Sequence, residues 1–513
     1  MATVTRIDGD PRVSEGFSPA LPTRLLTSAL PALLAGVLAS ARSAVVPLWR
    51  DEYATALHAG LDVRDLLRAV ADGDAVVVPY YLLAHLLAPL LGDGIGLRLV
   101  SILAFAASAA LIAAVALRWW GAVAGTAAGI MFAVNGAAIT AGMTARPYAL
   151  MLACVTAAIA AADRAGPRNR GVWAVYSAAA LAAVSMHLIS AVALACIAVI
   201  GVGREPSWWR RWAIWSLPAL AAAGALGVIG SGQQSQIAWL TPPDVRSATA
   251  ALAQVAGVSA YRAVVWDALG LTVLAIAAIA AWFALARRGQ PERVRGLVFA
   301  ATLTFVAPTA LFVASWVFTP VYTARYLTWI SIGAALIVGC AVSAALRGRS
   351  PWSRVAGLTA SALLLAAVAF AATQLVRPPG LYDDFPALGA ELAARAEVGD
   401  GVVVIQESAH SAVALSLARV LQEDEWASRL RAELVAGTHP RLDQQSIAAT
   451  DPLTFRGAGE STRPVGTVWI VSLDEPSAGD LRDIDEHWGC RADARSDEPR
   501  FFGGVRLYAR VCD

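Results

Sequence analysis

The chain has 513 residues, of which 58% are hydrophobic and 15% are charged, and its mean hydropathy is +0.59. A soluble protein would carry about 25% charged residues, so this composition excludes a water-soluble globular enzyme. The formal net charge of +2 gives no indication of a nucleic-acid partner.

Apolar stretches of about 20 residues recur through the first three-quarters of the chain, and each is long enough to cross about 30 Å of hydrocarbon. The polar segment 1–24 has no convincing signal-peptide cleavage site, so the first apolar stretch is interpreted as a retained span. Arginine clusters between later stretches assign their loops to the cytoplasm. The sequence therefore predicts an all-α polytopic membrane protein with about eleven spans. These lie near 25–47, 97–117, 121–140, 147–162, 173–187, 189–203, 212–230, 263–286, 297–318, 327–346 and 355–376.

Three outer segments are too long to be tight turns, namely 48–96, 231–262 and 377–513. In the first, "DVRDLLRAV" is typical of an amphipathic interfacial helix. The domains expected are a cytoplasmic N-terminal tail at 1–24, a transmembrane domain at 25–376 that includes the extracytoplasmic loop 48–96, and a soluble extracytoplasmic domain at 377–513.

Residues 377–513 are predicted to form a small α/β domain. Its expected strands are 401–406, 466–473 and 503–511, and a helix is expected near 410–436. Cys490 and Cys512 lie in this polar region and would be able to form a disulfide in an oxidising compartment.

Polar side chains collect at the predicted outer ends of the spans. Taken singly, each has a structural explanation: an arginine at a span end usually extends to lipid headgroups, as we expect for Arg98. Taken together, two arginines beside two carboxylates would bind an anion and hold a general base, because the guanidinium fork suits phosphate oxygens. The residues concerned are Asp51, Glu52, Arg98, Arg146, His187 and Arg325.

The order and spacing of these motifs resemble the GT-C glycosyltransferases, and within them the family 39-like group of dolichyl- or polyprenyl-phosphate-sugar transferases. The matching stretches within residues 45–330 are "WRDEYAT", "VPYYLLAHLLAPLLGDGIGLRLVS", "TARPYALML", "SMHLISA" and "YTARYLTW". The family usually has a "PPLYY"-like stretch where this chain reads "VVVPYY", so that only Pro79, Tyr80 and Tyr81 fit. This departure leaves the identity of the acceptor open.

The resemblance implies a multi-pass enzyme of the cell membrane. It would move a sugar from a polyprenyl-phosphate donor to an acceptor hydroxyl on the extracytoplasmic face, with inversion. Asp51 would be the general base, and Glu52 would orient the acceptor, support Asp51 or bind a cation. The residues expected to bind the donor phosphate are Arg146, Arg325 and His187. The residues expected to contact substrate are Tyr80, Tyr81, Tyr148 and Tyr326.

No Cys/His spacing indicates a zinc site, and no cofactor is certain. A divalent cation held by Asp51, Glu52 and either Asp72 or Asp74 stays open. The expected partners are the polyprenyl-phosphate sugar, membrane lipids, and a glycan, glycolipid or protein acceptor, without nucleic acid.

Two other functions are compatible with the composition. One is a transporter or flippase for a lipid-linked sugar or an anionic lipid, and the other is a non-catalytic membrane scaffold. Transporters often show internal repeats and charges at the membrane midplane. This sequence has no evident repeat, and its charges gather at one face. The sugar itself does not follow from the sequence.

Overall fold

Long apolar segments of this chain form helices because a backbone in hydrocarbon must satisfy its hydrogen bonds internally. The computed structural model describes residues 21–513 apart from short stretches. The positions left out are 72, 93, 167, 238–239, 260–263, 377–382, 398–399, 407–416, 418–430, 437–465, 474, 477–478, 480, 483–484, 486–489, 492–498 and 513.

The helices in the described residues are listed here in chain order. The first nine are α1 (Leu21–Ser43), α2 (Arg50–Gly60), α3 (Val63–Ala69), α4 (Val78–Leu91), α5 (Arg98–Trp120), α6 (Ala122–Ala133), α7 (Gly136–Met143), α8 (Tyr148–Arg164) and α9 (Arg170–Met186). The others are α10 (Ser190–Ala195), α11 (Pro206–Gly232), α12 (Val245–Ala256), α13 (Val264–Ala286), α14 (Pro291–Ala301), α15 (Ala307–Val317), α16 (Ile330–Leu346), α17 (Pro351–Val376) and α18 (Phe385–Arg395).

The chain is a multi-pass membrane protein. Six of the described helical segments are long and apolar enough to cross a membrane, and the bent pair α6 and α7 makes a seventh if it counts as one span. The predicted number of about eleven is not confirmed, because α9, α16 and the segment Ser190–Gly201 are apolar but shorter. The qualifying segments are α1, α5, α11, α13, α17 and the stretch Pro291–Val317, in which a π-helical turn joins α14 to α15.

A central layer of helices is enclosed by helices with apolar outer faces. α16 is buried along almost its whole length, and it packs between α6, α13 and α17. α5 packs against α1, α6 and α8. Leucines of the outer helices, such as Leu220 of α11 and Leu358 of α17, remain exposed, which suits contact with lipid chains.

Two breaks in the helices bring loops towards one end of the molecule. The predicted span 121–140 is divided at Asn135, whose Oδ1 accepts the N–H of Ala138 over 3.1 Å and caps α7. The Asn135 amide also donates to the Val255 carbonyl over 2.9 Å, so α12 is held against this break. The turn predicted near His187 is present, because α9 ends at Met186.

The C-terminal residues form a mixed sheet. Its described strands are β1 (Gly401–Gln406), β2 (Arg431–Ala436), β3 (Gly466–Ser472), β4 (Cys490–Arg491), β5 (Arg500–Phe502) and β6 (Val505–Cys512). The strand order is β2-β1-β3-β6-β4, with β1 parallel to β2 and β3, and β6 antiparallel to β3, β4 and β5. α18 packs its apolar face, including Phe385 and Leu392, into the core formed with Val402 and Leu507.

The three predicted strands are confirmed at β1, β3 and β6. The helix predicted near 410–436 is wrong over its last residues, because Arg431–Ala436 form β2 beside β1. Apart from Leu417, the rest of that helix prediction lies outside the described residues. Cys490 is disulfide-bonded, and Cys512 is its partner in the strand register.

Candidate active site

The first turn of α2 carries the two neighbouring carboxylates. Because α2 begins at Arg50, Asp51 and Glu52 lie beside the unpaired N–H groups at the helix N-terminus, where negative charge is favourable. Their environments differ, since the Asp51 side chain is 21% exposed whereas that of Glu52 is fully buried. Of the two, only Asp51 is accessible to a substrate.

Glu52 forms a buried ion pair with Arg98, the first residue of α5. Arg98 Nε donates to Glu52 Oε1 over 2.7 Å, and Nη2 donates to Oε2 over 2.6 Å, which is a bidentate arrangement. The same guanidinium donates to the carbonyls of Ser43, Val46 and Pro47 around the end of α1. The prediction that Arg98 extends to the headgroups is therefore wrong, because its side chain is bound inside the protein.

Glu52 also fixes the loop between α7 and α8. Its Oε1 accepts the backbone N–H of Ala145 over 2.7 Å. The next residue in that loop is Arg146, and Pro147 is the N-cap of α8. The buried carboxylate thus ties the start of α2 to α5 and to the backbone that carries Arg146.

The Arg146 guanidinium lies between Asp51 and Tyr81. Its Nη1 donates to the Asp51 carbonyl and to the Tyr81 hydroxyl, both over 3.3 Å, and its Nη2 lies 4.0 Å from Asp51 Oδ2. The Nε–H is buried and has no hydrogen-bond partner in the described part of the chain. An unpaired buried donor costs about 1–3 kcal/mol. This atom therefore indicates a place for an acceptor that comes from a ligand.

Arg325 approaches the same carboxylate from the other side of the bundle. It lies in a short 3-10 turn, Ala324–Leu327, that precedes α16. Its Nη1 donates to Asp51 Oδ2 over 3.4 Å, and its side chain is 34% exposed. The structure thus brings two guanidinium groups, 179 residues apart in sequence, to a single oxygen of Asp51.

Tyr80 and Tyr81 of α4 are both buried, but of the two only Tyr81 hydrogen-bonds Arg146, the arginine beside Asp51. The Tyr81 hydroxyl donates to Asp74 Oδ2 over 2.9 Å and accepts from Arg146. Tyr80 makes no hydrogen bond to Asp51 or Arg146, and burial is the largest cause that raises its pKa. Tyr81 therefore connects Arg146 to a second carboxylate, whereas Tyr80 packs behind it.

Two further side chains contact Tyr81: His58, which the sequence does not indicate as a site residue, and Asp74, which it indicates only as a candidate cation ligand. His58 stacks on the Tyr81 ring, with centroids 4.5 Å apart, and burial lowers the pKa of His58. Asp74 has a left-handed backbone with φ of 63°, and the next N–H, that of Ala75, donates to Gln233 Oε1 over 3.0 Å. His58 lies seven residues after Asp51, so helical periodicity places both on one face of α2.

His187 lies in the turn between α9 and α10, outside both helices. Its ring is 5.5 Å from the Tyr148 ring and 4.9 Å from the Tyr326 ring. Burial, together with the charges of Arg146 and Arg325, lowers the pKa of His187 to about 4. The imidazole is therefore neutral at pH 7, and its buried Nδ1 has no hydrogen-bond partner among the described residues.

Burial also raises the pKa of the Tyr326 hydroxyl to about 12, so this side chain is a neutral hydrogen-bonding group. Around the Asp51 cluster, the residues that the structure brings together are Asp51, Tyr81, Arg146, Tyr148, His187, Arg325 and Tyr326.

The described residues offer no group of three or more His, Cys, Asp or Glu side chains that would hold a metal ion. Asp72 lies outside the described residues. Asp74 is bound by Tyr81, and Glu52 is bound by Arg98. The side chains considered for a cation are therefore engaged with donors, apart from the partly exposed Asp51 and the undescribed Asp72.

Comparison by sequence finds no matching family model and no matching curated protein. Comparison by structure finds ArnT from Cupriavidus metallidurans bound to undecaprenyl phosphate, with a TM-score of 0.52 at 12% identity, over 96% of this chain and 98% of that one. ArnT from the same organism in the apo state matches with a TM-score of 0.53 at 12% identity, over 95% and 97% of the two chains. These likenesses show that the chain has the fold of ArnT, which is the GT-C fold predicted from its motifs.

Proposed function

We propose that this protein is an integral membrane glycosyltransferase that moves a sugar from a polyprenyl-phosphate donor to an acceptor hydroxyl. The observation that carries the proposal is the convergence of Arg146 and Arg325 on the carboxylate of Asp51. A base beside two anion-binding groups is what displacement of a phosphate leaving group by an alcohol requires. The shared fold with ArnT, solved with undecaprenyl phosphate bound, supports a lipid-linked donor.

Arg146 and Arg325 are assigned to the donor phosphate. Arg146 has a buried, unpaired Nε–H, and the Arg325 side chain is partly open to solvent. A guanidinium binds two phosphate oxygens at once and stays charged, so the pair would neutralise the charge that develops as the sugar–phosphate bond breaks. Neutral His187, between Tyr148 and Tyr326, would donate one further hydrogen bond.

Asp51 is assigned as the general base. In the structure both guanidinium groups reach its Oδ2. A bound phosphate would compete for these donors and so free the carboxylate to accept the proton of the acceptor hydroxyl. The hydroxyl oxygen would then attack the anomeric carbon from the face opposite the phosphate. The sugar–oxygen bond to phosphate breaks, polyprenyl phosphate leaves, and the configuration inverts.

Glu52 is assigned a supporting role and not a chemical one. Its carboxylate accepts from Arg98 and from the Ala145 N–H in a fully buried position. Tyr81 supports Arg146 in a similar way through its hydroxyl. Of the sequence-based options for Glu52, support of Asp51 therefore fits the contacts best.

The donor lipid needs an apolar surface beside this site. An apolar cavity of about 380 Å³ lies between α1, α4 and α5, and is lined by side chains such as Ser43, Leu90, Leu99 and Ile102. The Ser43 carbonyl accepts from Arg98, so the cavity adjoins the Arg98–Glu52 ion pair. We assign a segment of the polyprenyl chain to this cavity.

The orientation of the protein in the membrane is inferred from the arginine-rich loops between the later apolar stretches. Placing those loops in the cytoplasm puts the Asp51 cluster on the extracytoplasmic face, together with the domain at 377–513, and leaves 1–24 in the cytoplasm. Reactivity of single cysteines introduced at exposed Asp65 and at partly exposed Arg295 in sealed vesicles would test this assignment, because the two positions are expected on opposite faces.

The test of function uses the full-length protein in nanodiscs with a panel of polyprenyl-phosphate sugars. We expect one donor to be consumed with release of polyprenyl phosphate, and Asp51→Asn to lower that rate by about 10²–10⁴. Asp65→Asn is the matched control, because Asp65 is an exposed carboxylate of the same outer segment. Full activity in Asp51→Asn would remove the base assignment. Lipid movement between leaflets without donor consumption would favour the transporter instead.

A further inference from the structure

The N-terminus of α2 lies against the C-terminal domain. The first turn of any helix leaves N–H groups without helical partners. In α2, the Trp49 N–H donates to Glu52 Oε2 over 3.3 Å, and the Glu52 and Tyr53 N–H groups donate to the Trp49 carbonyl. The Asp383 carboxyl, which lies just before α18, is a charged group of the C-terminal domain that lies beside this first turn.

Asp383 forms an ion pair with the side chain of Arg50, the first residue of α2. The Asp383 Oδ2 atom lies 3.7 Å from Arg50 Nε, and the Asp383 side chain is 8% exposed. Burial raises the pKa of Asp383, while the nearby Arg50 charge opposes this and the Asp51 charge adds to it. Asp383 is therefore close enough to the α2 N-terminus to interact with Asp51 as well as with Arg50.

An apolar contact accompanies this polar one. The Tyr53 ring packs edge-on against the Phe385 ring, with centroids 5.7 Å apart. Tyr53 belongs to the same buried cluster as Leu392, Val402 and Leu507 of the C-terminal domain, and Leu48 packs against that cluster. Residues on both sides of Asp51 in the sequence thus contribute to the core of the C-terminal domain.

Asp383 is itself held in place by the sheet. The N–H of the next residue, Asp384, donates to the Phe502 carbonyl over 3.2 Å, and Asp384 Oδ1 caps α18 at Ala387. A Cβ atom at Gly504 would lie 2.5 Å from Asp383 Oδ1, so the glycine lets the carboxyl lie directly against the β5–β6 turn. The position of the Asp383 carboxyl is therefore set by β5 and β6.

We propose that Asp383 is a positioning residue that couples the C-terminal domain to the helix carrying Asp51, through its ion pair with Arg50. The C-terminal domain then has a role in catalysis without touching the substrate. It fixes the first turn of α2, so that the Asp51 carboxylate stays between Arg146 and Arg325. This role in turnover rests on the proposed glycosyltransferase function, whereas the coupling of the domain to α2 does not.

The coupling is tested by amide hydrogen exchange on the full-length protein, with Asp383→Asn and Asp383→Ala. Loss of the buried carboxylate that pairs with Arg50 is expected to raise exchange in the 48–60 segment about tenfold in Asp383→Ala. Asp383→Asn keeps the acceptor and the shape, and is expected to change exchange less. Unchanged exchange in 48–60 for Asp383→Ala would overturn the coupling.

Glu391→Gln is the matched control, since Glu391 pairs with Arg395 and Arg500 in the same domain. It is expected to leave exchange in 48–60 unchanged. An equal rise in this control would mean that general loosening of the domain is responsible, and would also overturn the coupling.

The role in turnover is tested with whichever polyprenyl-phosphate sugar the protein consumes. Asp383→Ala is expected to lower kcat about tenfold and to leave the KM for the donor within about twofold, because Arg146 and Arg325 are not moved. Asp383→Asn is expected to recover much of kcat, and Glu391→Gln to match the parent protein. A change confined to KM would contradict the positioning role. If the parent consumes no donor, the proposed function fails, while hydrogen exchange still decides the coupling.

Discussion

Glu52→Gln is expected to destabilise the protein far more than Asp51→Asn, although the two carboxylates are adjacent. Glutamine keeps the shape of Glu52 and removes its charge. Its amide N–H₂ would face Arg98 or the Ala145 N–H, which are donors as well. The buried guanidinium would then lack a counter-charge.

The contacts allow the two costs to be compared. Breaking a buried ion pair by removing one partner costs about 3–5 kcal/mol. The Asp51 pairs are longer, at 3.4 Å and 4.0 Å, and the side chains of Asp51 and Arg325 are 21% and 34% exposed. Pairs of that kind contribute about 0–1 kcal/mol. Glu52→Gln should therefore be less stable than Asp51→Asn by about 3 kcal/mol.

The measurement is unfolding in mixed detergent micelles with increasing dodecyl sulfate, followed by the fluorescence of the 17 tryptophans. Glu52→Gln should unfold at distinctly lower dodecyl sulfate, whereas Asp51→Asn should unfold close to the parent and lose donor turnover. Equal unfolding midpoints for the two variants would refute the division of roles, and so would a lower midpoint for Asp51→Asn.

Three further outcomes are expected. Arg325→Ala should lower donor turnover by about 10²–10³-fold. Arg325→Lys should remain impaired, because lysine keeps the charge but lacks the forked guanidinium. Arg68→Ala is the control for donor turnover, since Arg68 is an exposed arginine of α3. Tyr81→Phe removes the hydroxyl that binds Arg146 and should raise the KM for the donor about tenfold, whereas an unchanged KM would separate Tyr81 from phosphate binding. The pKa of His187 is about 4 in the folded protein and about 6.5 in the unfolded chain. Protonation of the unfolded chain should therefore lower the free energy of unfolding by about 2 kcal/mol between pH 7 and pH 5. The unfolding midpoint of His187→Gln should lack that part of the pH dependence.

The apolar pattern predicts the helices of the membrane domain well, because hydrocarbon leaves the backbone few alternatives. Where a polar side chain interrupts a span, the pattern is less informative. The stretch 121–140 was predicted as one span, but Asn135 caps α7 and bends the pair by 65°. A single asparagine in an apolar run does not reveal whether it will bond within its own helix or to α12, as it does here.

The motifs also predict which residues meet, but not how each one is used. The motifs group Asp51, Arg146 and Arg325 by their position at span ends, and the structure places a guanidinium nitrogen of each arginine within 4.0 Å of Asp51 Oδ2. Arg98 belongs to the same set by position, and yet it is buried against Glu52. That difference depends on the path of residues 43–47, whose carbonyls bind Arg98, and a residue pattern does not specify that path.

The contact between Asp383 and α2 was not foreseeable from the sequence. More than 300 residues separate Arg50 from Asp383, and Asp383 lies in none of the motifs that place Arg50 beside Asp51. Local pattern gives the strands β1, β3 and β6, but the docking of the sheet on α2 depends on the long-range packing of Tyr53 and Phe385.

Cryo-electron microscopy of the full-length protein with undecaprenyl phosphate would decide where the donor phosphate binds. The phosphate is expected between the guanidinium groups of Arg146 and Arg325, within hydrogen-bond distance of about 3 Å, with the Asp51 carboxylate beside it and the lipid leaving along α1 and α5. A phosphate bound elsewhere, with the Arg146 and Arg325 contacts to Asp51 unchanged, would contradict the assignment of this cluster as the active site.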